Sequence, residues 1–532
     1  MYDDKLFFHL FLSYNLNTFM SSSKTIAKNT LILYIRMFFT MAVSLYTSRV
    51  VLNNLGISDF GVYSIVGGIV SSFGFLHNAM ANATQRFITF AIGENDFTKL
   101  KNIFSSSLTL HFLIAAFFLV LAETIGLWFL NYKLNIQVNR IFAANVVFQL
   151  SVFTFIVGII QVPYNALIIA REKMIVFAYM SIIEVFLKLL IVFILPIINY
   201  DHLIVYAFLY LFASLLIRIA YKIYCSKNFK ESHYEFFYDK LVFIDLLSFS
   251  GWTMFGSASL IAKGQGLNIL LNLFFGTVLN AAYGITMQVQ SAVQLFLQNL
   301  QVAFRPQIII NYANGNFEKF NELVFKSSKL SYFLMLLIIC PIILNIDFIL
   351  NLWLKNPPRY VNIFVTLSLV ALLIDSLSEP LVIANQATGT IKWFQIIEGT
   401  FVILNIPISY LLLKFSRNPV DVFYVSIVIN SFALFIRLIL VRKLINVVLF
   451  FKTILIRVFF VSAFIILIAF LLRTNLGIAI TFFDFIKQSI ITFFSVLLLI
   501  YLIGLEREEK FLIHNYLKHK INFSLTNFNK KR

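Results

Sequence analysis

The chain has 532 residues, of which 60% are hydrophobic and only 12% are charged, and its mean hydropathy is +0.88. This small number of charged residues cannot cover the surface of a soluble protein of this length. The composition therefore excludes a soluble globular enzyme and predicts a membrane protein. The net charge of +18 is therefore assigned to basic loops. Their expected partner is the anionic lipid of the inner leaflet, not nucleic acid.

Windows of about 20 apolar residues predict fourteen membrane-spanning helices, and hence an all-α membrane protein. The Lys and Arg residues are concentrated in every second loop, so the positive-inside rule places both termini in the cytoplasm. The loops on the other side are short, which counts against a membrane polysaccharide polymerase or ligase. The predicted spans are residues 30–52, 61–83, 104–130, 139–169, 174–198, 202–224, 248–272, 278–304, 325–350, 362–388, 393–413, 419–441, 453–472 and 476–503.

The two halves of the sequence repeat one pattern about 220 residues apart. Many secondary transporters contain such repeats, with the substrate path between the copies, and an even number of spans between the copies makes them parallel. The matched residues are Gly56 and Tyr63 with Gly276 and Tyr283, and Arg86 with Arg305. The expected domains are a cytoplasmic segment 1–29, an N-lobe 30–224, a cytoplasmic loop 225–247, a C-lobe 248–441, two further helices in 442–505 and a basic cytoplasmic tail 506–532.

The eighth predicted span carries a glutamine stripe, formed by Gln290, Gln294, Gln298, Gln301 and Arg305. This spacing keeps the five side chains within about 80° of one helix face. Grouped amides are costly against lipid, so the stripe is expected to face a substrate path, where amides can donate to and accept from sugar hydroxyls. The alternative is that the glutamines hydrogen-bond between helices and lock the bundle.

The repeat offset maps the glutamine stripe onto a second polar face, in the second span. Its residues are Gly74, Asn78, Asn82 and Arg86. Two matched polar faces predict a cavity between the halves, with Arg86 and Arg305 at its cytoplasmic end.

Four charged residues inside spans are further candidates. Arg36 and Lys263 are expected to contact a phosphate group or the mouth of the path, because buried cations usually face water or the bundle interior. Asp375 and Glu379 lie one turn apart before Pro380 and could bind a coupling proton or sodium ion. The alternative is polar pairing within the bundle, which is also the expectation for Glu184 and Lys188.

No catalytic motif accompanies these residues. The seven His residues have no metal-ligand spacing, and the sequence has no phosphate-binding loop for ATP. The chain is therefore predicted to be a transporter that contains no cofactor or metal and is not an enzyme. A proton or sodium gradient is the expected energy source.

Five segments are similar to those of a known family: Asn29–Leu31, Ser48–Gly56, Asp59–Tyr63, Ala81–Phe87 and Ala384–Gly389. Together they resemble the bacterial polysaccharide flippases of the multidrug/oligosaccharidyl-lipid/polysaccharide exporter superfamily. The resemblance implies two six-helix lobes around a central cavity, followed by two C-terminal helices.

The resemblance also implies a function in the bacterial inner membrane. The chain would move an undecaprenyl-diphosphate-linked oligosaccharide from the cytoplasmic to the periplasmic leaflet by alternating access. Such a flippase serves the biosynthesis of lipopolysaccharide O-antigen, capsule or exopolysaccharide, with polysaccharide-assembly proteins as partners. The alternative is a multidrug/cation antiporter of the same superfamily, which shares the twelve-helix core but has no obvious need for the last two spans.

Overall fold

The computed structural model describes residues 25–511 and 514, except for scattered positions between 45 and 72 and for residues 133–135, 238, 355, 478 and 508. The predicted segment 1–29 and the predicted tail 506–532 therefore lie mostly outside the described residues. The described part of the chain is helical throughout and contains no strand. The predicted all-α fold class is confirmed.

Fourteen long helices account for most of the described residues. Polar caps begin several of them; for example, the Asp96 carboxylate accepts a hydrogen bond from the Lys99 backbone N–H, an ordinary N-terminal cap. A shorter helix, Ile346–Leu354, follows the ninth. The long helices are α1 Thr25–Ser44, α2 Gly74–Gly93, α3 Phe97–Tyr132, α4 Val138–Ala170, α5 Met174–Ile197, α6 His202–Asn228, α7 Lys240–Phe275, α8 Thr277–Ala313, α9 Phe317–Leu344, α10 Val361–Thr388, α11 Lys392–Ser416, α12 Asp421–Leu440, α13 Val447–Thr474 and α14 Phe482–Gly504.

Twelve of these helices are long and apolar enough to cross a membrane. The other two, α2 and α8, are the helices with the predicted polar faces. Their amide and arginine side chains lower their mean hydropathy, so they are not among the twelve. The prediction of about fourteen helices thus agrees with the structure.

The sequence repeat is also visible in the backbone at the ends of α2 and α8. Asn95 and Gly315, which are related by the repeat offset, both have left-handed φ, at 55° and 69°. Their N–H groups donate to the equivalent carbonyl oxygens of Ile92 and Tyr312, at 3.2 and 3.1 Å. Glycine and asparagine adopt this conformation at low cost. The two copies therefore end their polar helices with the same turn.

The chain divides into two compact units that do not follow the predicted lobe boundaries. The first unit comprises residues up to Ile261 together with Gln298–Leu323 and Ile383–Thr400. The second unit comprises Ala262–Leu297, Val324–Val382 and the residues from Phe401 onward. Each unit thus takes segments from both halves of the sequence, and the lobe boundaries stay a prediction.

Each unit has its own apolar core. In the first unit the core includes Phe104, Phe118 and Phe148, all almost completely buried. In the second unit the core includes Phe364 and Met335. Many large apolar side chains outside these cores are exposed, which is expected where lipid replaces water around a bundle.

The last two helices, α13 and α14, pack within the second unit. The Tyr332 hydroxyl of α9 lies 2.6 Å from the Ser462 hydroxyl of α13. After α14, the Glu509 carboxylate lies 2.6 Å from Lys329 Nζ, and Lys329 is only 5% exposed. The C-terminal pair of helices is therefore tied to α9 by both hydroxyl and ionic contacts.

Candidate functional site

The first unit contains a polar cavity of about 510 Å³. It lies between α2, α4, α5 and α6. The lining includes Asn78 and Gln85 of α2, Gln161 and Asn165 of α4, and the pair Glu184 and Lys188 of α5. The volume is typical of small-molecule sites, and four of the lining side chains are uncharged amides.

The predicted polar face of α2 is divided between two environments. Gly74 and Asn78 line the cavity. The Asn82 side-chain oxygen instead accepts a hydrogen bond from the Arg305 guanidinium. Arg86 contacts the C-terminal end of α10. A straight 3.6-residue period cannot distinguish these environments, because residues four apart diverge by about 40°.

The Arg86 guanidinium caps the C-terminus of α10 within the first unit. Its Nε donates to the Gln386 carbonyl oxygen at 3.2 Å, and a terminal nitrogen donates to the Ala387 carbonyl oxygen at 2.8 Å. The Phe87 and Phe90 rings lie 4.6 and 4.5 Å from the guanidinium carbon. Arg86 is 6% exposed. The Arg86 guanidinium, which was predicted to bind phosphate or line the mouth of the path, therefore already has protein partners. Its role with a substrate stays a prediction.

The Arg36 guanidinium contacts neutral partners in the first unit. It donates to the Ser181 hydroxyl and to the Asn299 side-chain oxygen, both at 3.3 Å. The Phe177 ring lies 4.5 Å from its guanidinium carbon. Its Nε atom is buried without a protein hydrogen-bond partner. Arg36 is thus a cation held mainly by neutral groups, and its proposed contact with phosphate stays a prediction.

The glutamine stripe of α8 extends from the second unit into the first. In the second unit Gln290 and Gln294 are half-buried. In the first unit Gln298 is exposed, whereas Gln301 is only 3% exposed. The five positions therefore do not share one degree of burial, and their role along a substrate path stays a prediction.

A polar group in the second unit joins Lys263 of α7 to α10 and α12. Lys263 Nζ lies 3.4 Å from Asn430 Oδ1, and Asn430 Nδ2 donates to Asp375 Oδ2 at 2.7 Å. A terminal guanidinium nitrogen of Arg437 lies 3.5 Å from Asp375 Oδ1 and donates to the Ser378 hydroxyl. Asp375 is thus paired with an arginine, as the polar-pairing alternative expects, whereas Glu379 is half-buried and has other interactions.

Sequence reasoning found some of these contacts and missed others. The predicted pair of Glu184 and Lys188 is confirmed, with 2.7 Å between carboxylate and ammonium. The residues it missed are Asn430, Arg437, Gln161 and Asn165. Gln161 and Asn165 share a four-residue spacing within an otherwise apolar span, and that signal could have identified them. Among the described residues, no group of three or more His, Cys, Asp or Glu side chains could hold a metal.

Comparison with solved structures shows the fold. The chain is 13% identical to a structure described as an outward-facing conformation of a multidrug resistance MATE family transporter of the MOP superfamily, with a TM-score of 0.69. That match covers 81% of this chain and 96% of the other. A MATE structure in the bent conformation gives a TM-score of 0.70 at 14% identity, covering 81% and 97%.

A third similar structure is a MOP superfamily transporter from Pyrococcus furiosus Vc1 (DSM3638). Its description states that reverse polarity of its binding pocket suggests a different function. The TM-score is 0.66 at 14% identity, covering 80% of this chain and 96% of the other. The charge of the binding pocket is therefore a feature that bears on function among proteins with this fold.

Sequence comparison gives a more limited match. The MatE family model matches residues 255–411, which is less than a third of the chain, and no curated protein matches. The matching family model and the similar structures belong to transporters, not to enzymes. The chain has the fold of the MATE transporters and is a multi-pass membrane protein.

Proposed function

We propose that the chain is a secondary transporter that moves an organic substrate across a bacterial inner membrane by alternating access. The observation that carries the proposal is the fold, which matches MATE transporters over 81% of this chain and 97% of theirs. A proton or sodium gradient is the proposed driving force, and Asp375 and Glu379 remain the proposed coupling residues. The basic loops support an orientation with both termini in the cytoplasm.

The comparisons favour the multidrug/cation antiporter as the class of transporter. The MatE family model matches residues 255–411 of the chain, and one similar structure is described as a multidrug resistance MATE family transporter. An antiporter of this class would exchange an organic cation for a proton or a sodium ion. Sites for such cations commonly need carboxylates or aromatic faces in excess of nearby cations.

A lipid-linked oligosaccharide flippase is the second candidate, and the charge of the polar groups favours it. The cavity of the first unit contains one carboxylate and one ammonium, paired at 2.7 Å. The group around Lys263 has the Asp375 carboxylate against the cations of Lys263 and Arg437. Neither group has an excess of negative charge that would attract an organic cation. About a fifth of the chain has no counterpart in the matched fold, consistent with two additional helices.

A gene deletion with two readouts distinguishes the candidates. The first readout is the amount of labelled lipid-linked repeat unit that reaches the periplasmic leaflet. The second readout is cellular retention of ethidium and tetraphenylphosphonium, with and without a protonophore. Loss of the first alone supports the flippase, whereas increased retention alone supports the antiporter. If neither changes in a strain without substitute transporters, the proposal is wrong for both substrate classes.

A further inference from the structure

The cavity of the first unit has unused hydrogen-bonding groups on two of its walls. Gln85 of α2 is 8% exposed, and its Nε2 atom is buried without a protein partner. On α4, the Asn165 Oδ1 atom is also buried without a protein partner. Both residues line the cavity. Each of these two lining residues thus has one amide atom that no protein group satisfies.

An unpaired buried amide is unfavourable unless water or a ligand completes its hydrogen bonds. A hydroxyl group can satisfy both kinds of amide atom, because it donates one hydrogen bond and accepts two. Asn78 and Gln161 also line the cavity and add further amide groups. Ser214 adds a hydroxyl oxygen that can accept, since its hydrogen is donated to the Tyr210 carbonyl oxygen. The wall therefore fits a ligand with several hydroxyl groups.

The charge of the cavity is balanced within the protein. The Glu184 carboxylate and the Lys188 ammonium are 2.7 Å apart, and Lys188 Nζ lies 4.8 Å from the centre of the Tyr210 ring. Among the residues that the structure describes, no other Asp, Glu, Lys or Arg side chain lines the cavity. A diphosphate would need additional cations. An organic cation would need an unpaired carboxylate or an aromatic face that no other cation occupies, whereas the Tyr210 ring already faces the Lys188 ammonium. The ligand that fits this balance is uncharged.

The cavity is also large enough for such a ligand and is accessible to it. Its volume of about 510 Å³ falls within the range of about 300–1,000 Å³ usual for ligand sites. Asn78 is exposed at its wall, so the cavity is not sealed. Phe155 and Tyr210 supply ring surface against which the C–H face of a sugar can pack.

We propose that the cavity between α2, α4, α5 and α6 binds an uncharged saccharide unit, with Gln85 and Asn165 as its hydrogen-bonding residues. The proposal rests on the proposed transport function for its biological role, since a sugar site in the first unit would bind part of a flippase substrate. Binding itself can be measured without transport.

The test uses the full chain in nanodiscs of phosphatidylethanolamine and phosphatidylglycerol, because many detergents carry sugar headgroups. The probes are chitobiose, lactose and maltotriose, with tetraphenylphosphonium and inorganic pyrophosphate as charged competitors. Saturation-transfer difference NMR reports binding. We expect at least one neutral saccharide to bind and neither charged probe to displace it. Binding of a charged probe in this cavity, or no saccharide signal at 10 mM (about the limit for a useful weak site), would overturn the proposal.

The variants Gln85→Leu and Asn165→Leu remove the unpaired atoms at similar volume. Each should weaken saccharide binding by at least tenfold while leaving the thermal unfolding midpoint unchanged or higher. Asn145→Leu is the matched control on the same helix, because Asn145 bonds to Asn131 instead. If either leucine variant fails to fold, Ala81→Phe fills the cavity without removing a polar group and should also abolish binding. Equal binding by control and cavity variants contradicts the proposed site.

The site and the proposed function can fail separately. Saccharide binding that Gln85→Leu abolishes, in a protein whose deletion changes no transport readout, would retain the site and reject the function. Loss of transport on deletion, with no saccharide binding to the purified chain, would retain the function and reject the site.

Discussion

Arg86 of α2 donates a hydrogen bond of 2.8 Å to the backbone carbonyl oxygen of Ala387, in the last turn of α10. The last four carbonyl groups of a helix have no partner within it, and a cation at this end also interacts favourably with the helix dipole. A residue predicted as a substrate contact therefore has a structural partner in the first unit. The repeat-matched Arg305 contacts the Asn82 side chain instead.

Replacing Arg86 separates its structural contacts from a direct role with substrate. We expect Arg86→Ala to lower stability by on the order of 2–4 kcal/mol, because it removes two charged hydrogen bonds and leaves buried carbonyl groups unpaired. Arg86→Lys should lose less, since one ammonium can retain one of the bonds. Thermal unfolding of the purified variants measures this. Normal unfolding of Arg86→Ala with abolished transport would instead support a substrate contact.

Gly389 should be more sensitive to substitution than another glycine with the same backbone conformation. Its φ is +82°, and an added Cβ would lie 2.7 Å from a terminal nitrogen of Arg86. Gly315 has φ +69° but open space around the Cβ position. Gly315→Ala should cost about 1–2 kcal/mol from the left-handed backbone alone, and Gly389→Ala should cost more. Equal unfolding midpoints for the two variants would contradict the close approach to Arg86.

Asp375→Asn tests whether this carboxylate couples transport or pairs within the second unit. Pairing with Arg437 predicts a stability loss on the order of 1–3 kcal/mol, less than for a fully buried pair, because the Asp375 side chain is 37% exposed. Coupling predicts normal stability, with gradient-driven transport lost and substrate exchange retained. Unfolding measurements and vesicle assays with and without an imposed pH gradient distinguish the two. Asp421→Asn, at the start of α12, is the control.

The ion pair between Arg140 and Asp201 should make stability depend on pH. Burial acts to raise the pKa of Asp201, but the hydrogen bond from Arg140 and those from two backbone N–H groups outweigh it and lower the pKa. An acid with a lowered folded pKa stabilises the fold above its unfolded pKa, about 4, and loses that contribution as pH falls through the folded value.

Asp201→Asn should therefore unfold at a lower temperature than the parent chain at pH 7. Asparagine also caps helices well, so the start of α6 should be retained. The difference between the two unfolding midpoints should shrink as the pH is lowered below about 4. A constant difference between pH 7 and pH 3 would show that the pair with Arg140 does not cause it.

Local pattern was enough to predict several features of this chain. Each membrane-spanning helix needs a continuous apolar segment, so composition within short windows located the helices. The pair of Glu184 and Lys188 followed from a four-residue spacing, because residues four apart on a helix are neighbours. The repeat predicted matching structures, and Asn95 and Gly315 adopt the same left-handed turn.

The contacts of the charged residues depended on the tertiary structure. Arg86 and Ala387 are 301 positions apart, and Lys263 and Asn430 are 167 apart. Helical periodicity gives the direction of a side chain from its own axis but not the helix it meets. For the same reason, sequence placed Asn78 and Asn82 on one polar face, whereas only Asn78 lines the cavity. The sequence determined the fold class, the number of helices and the repeat, because these depend on local hydropathy. The tertiary structure alone decided which polar groups are paired and which have no protein partner, because those pairings join helices far apart in the chain.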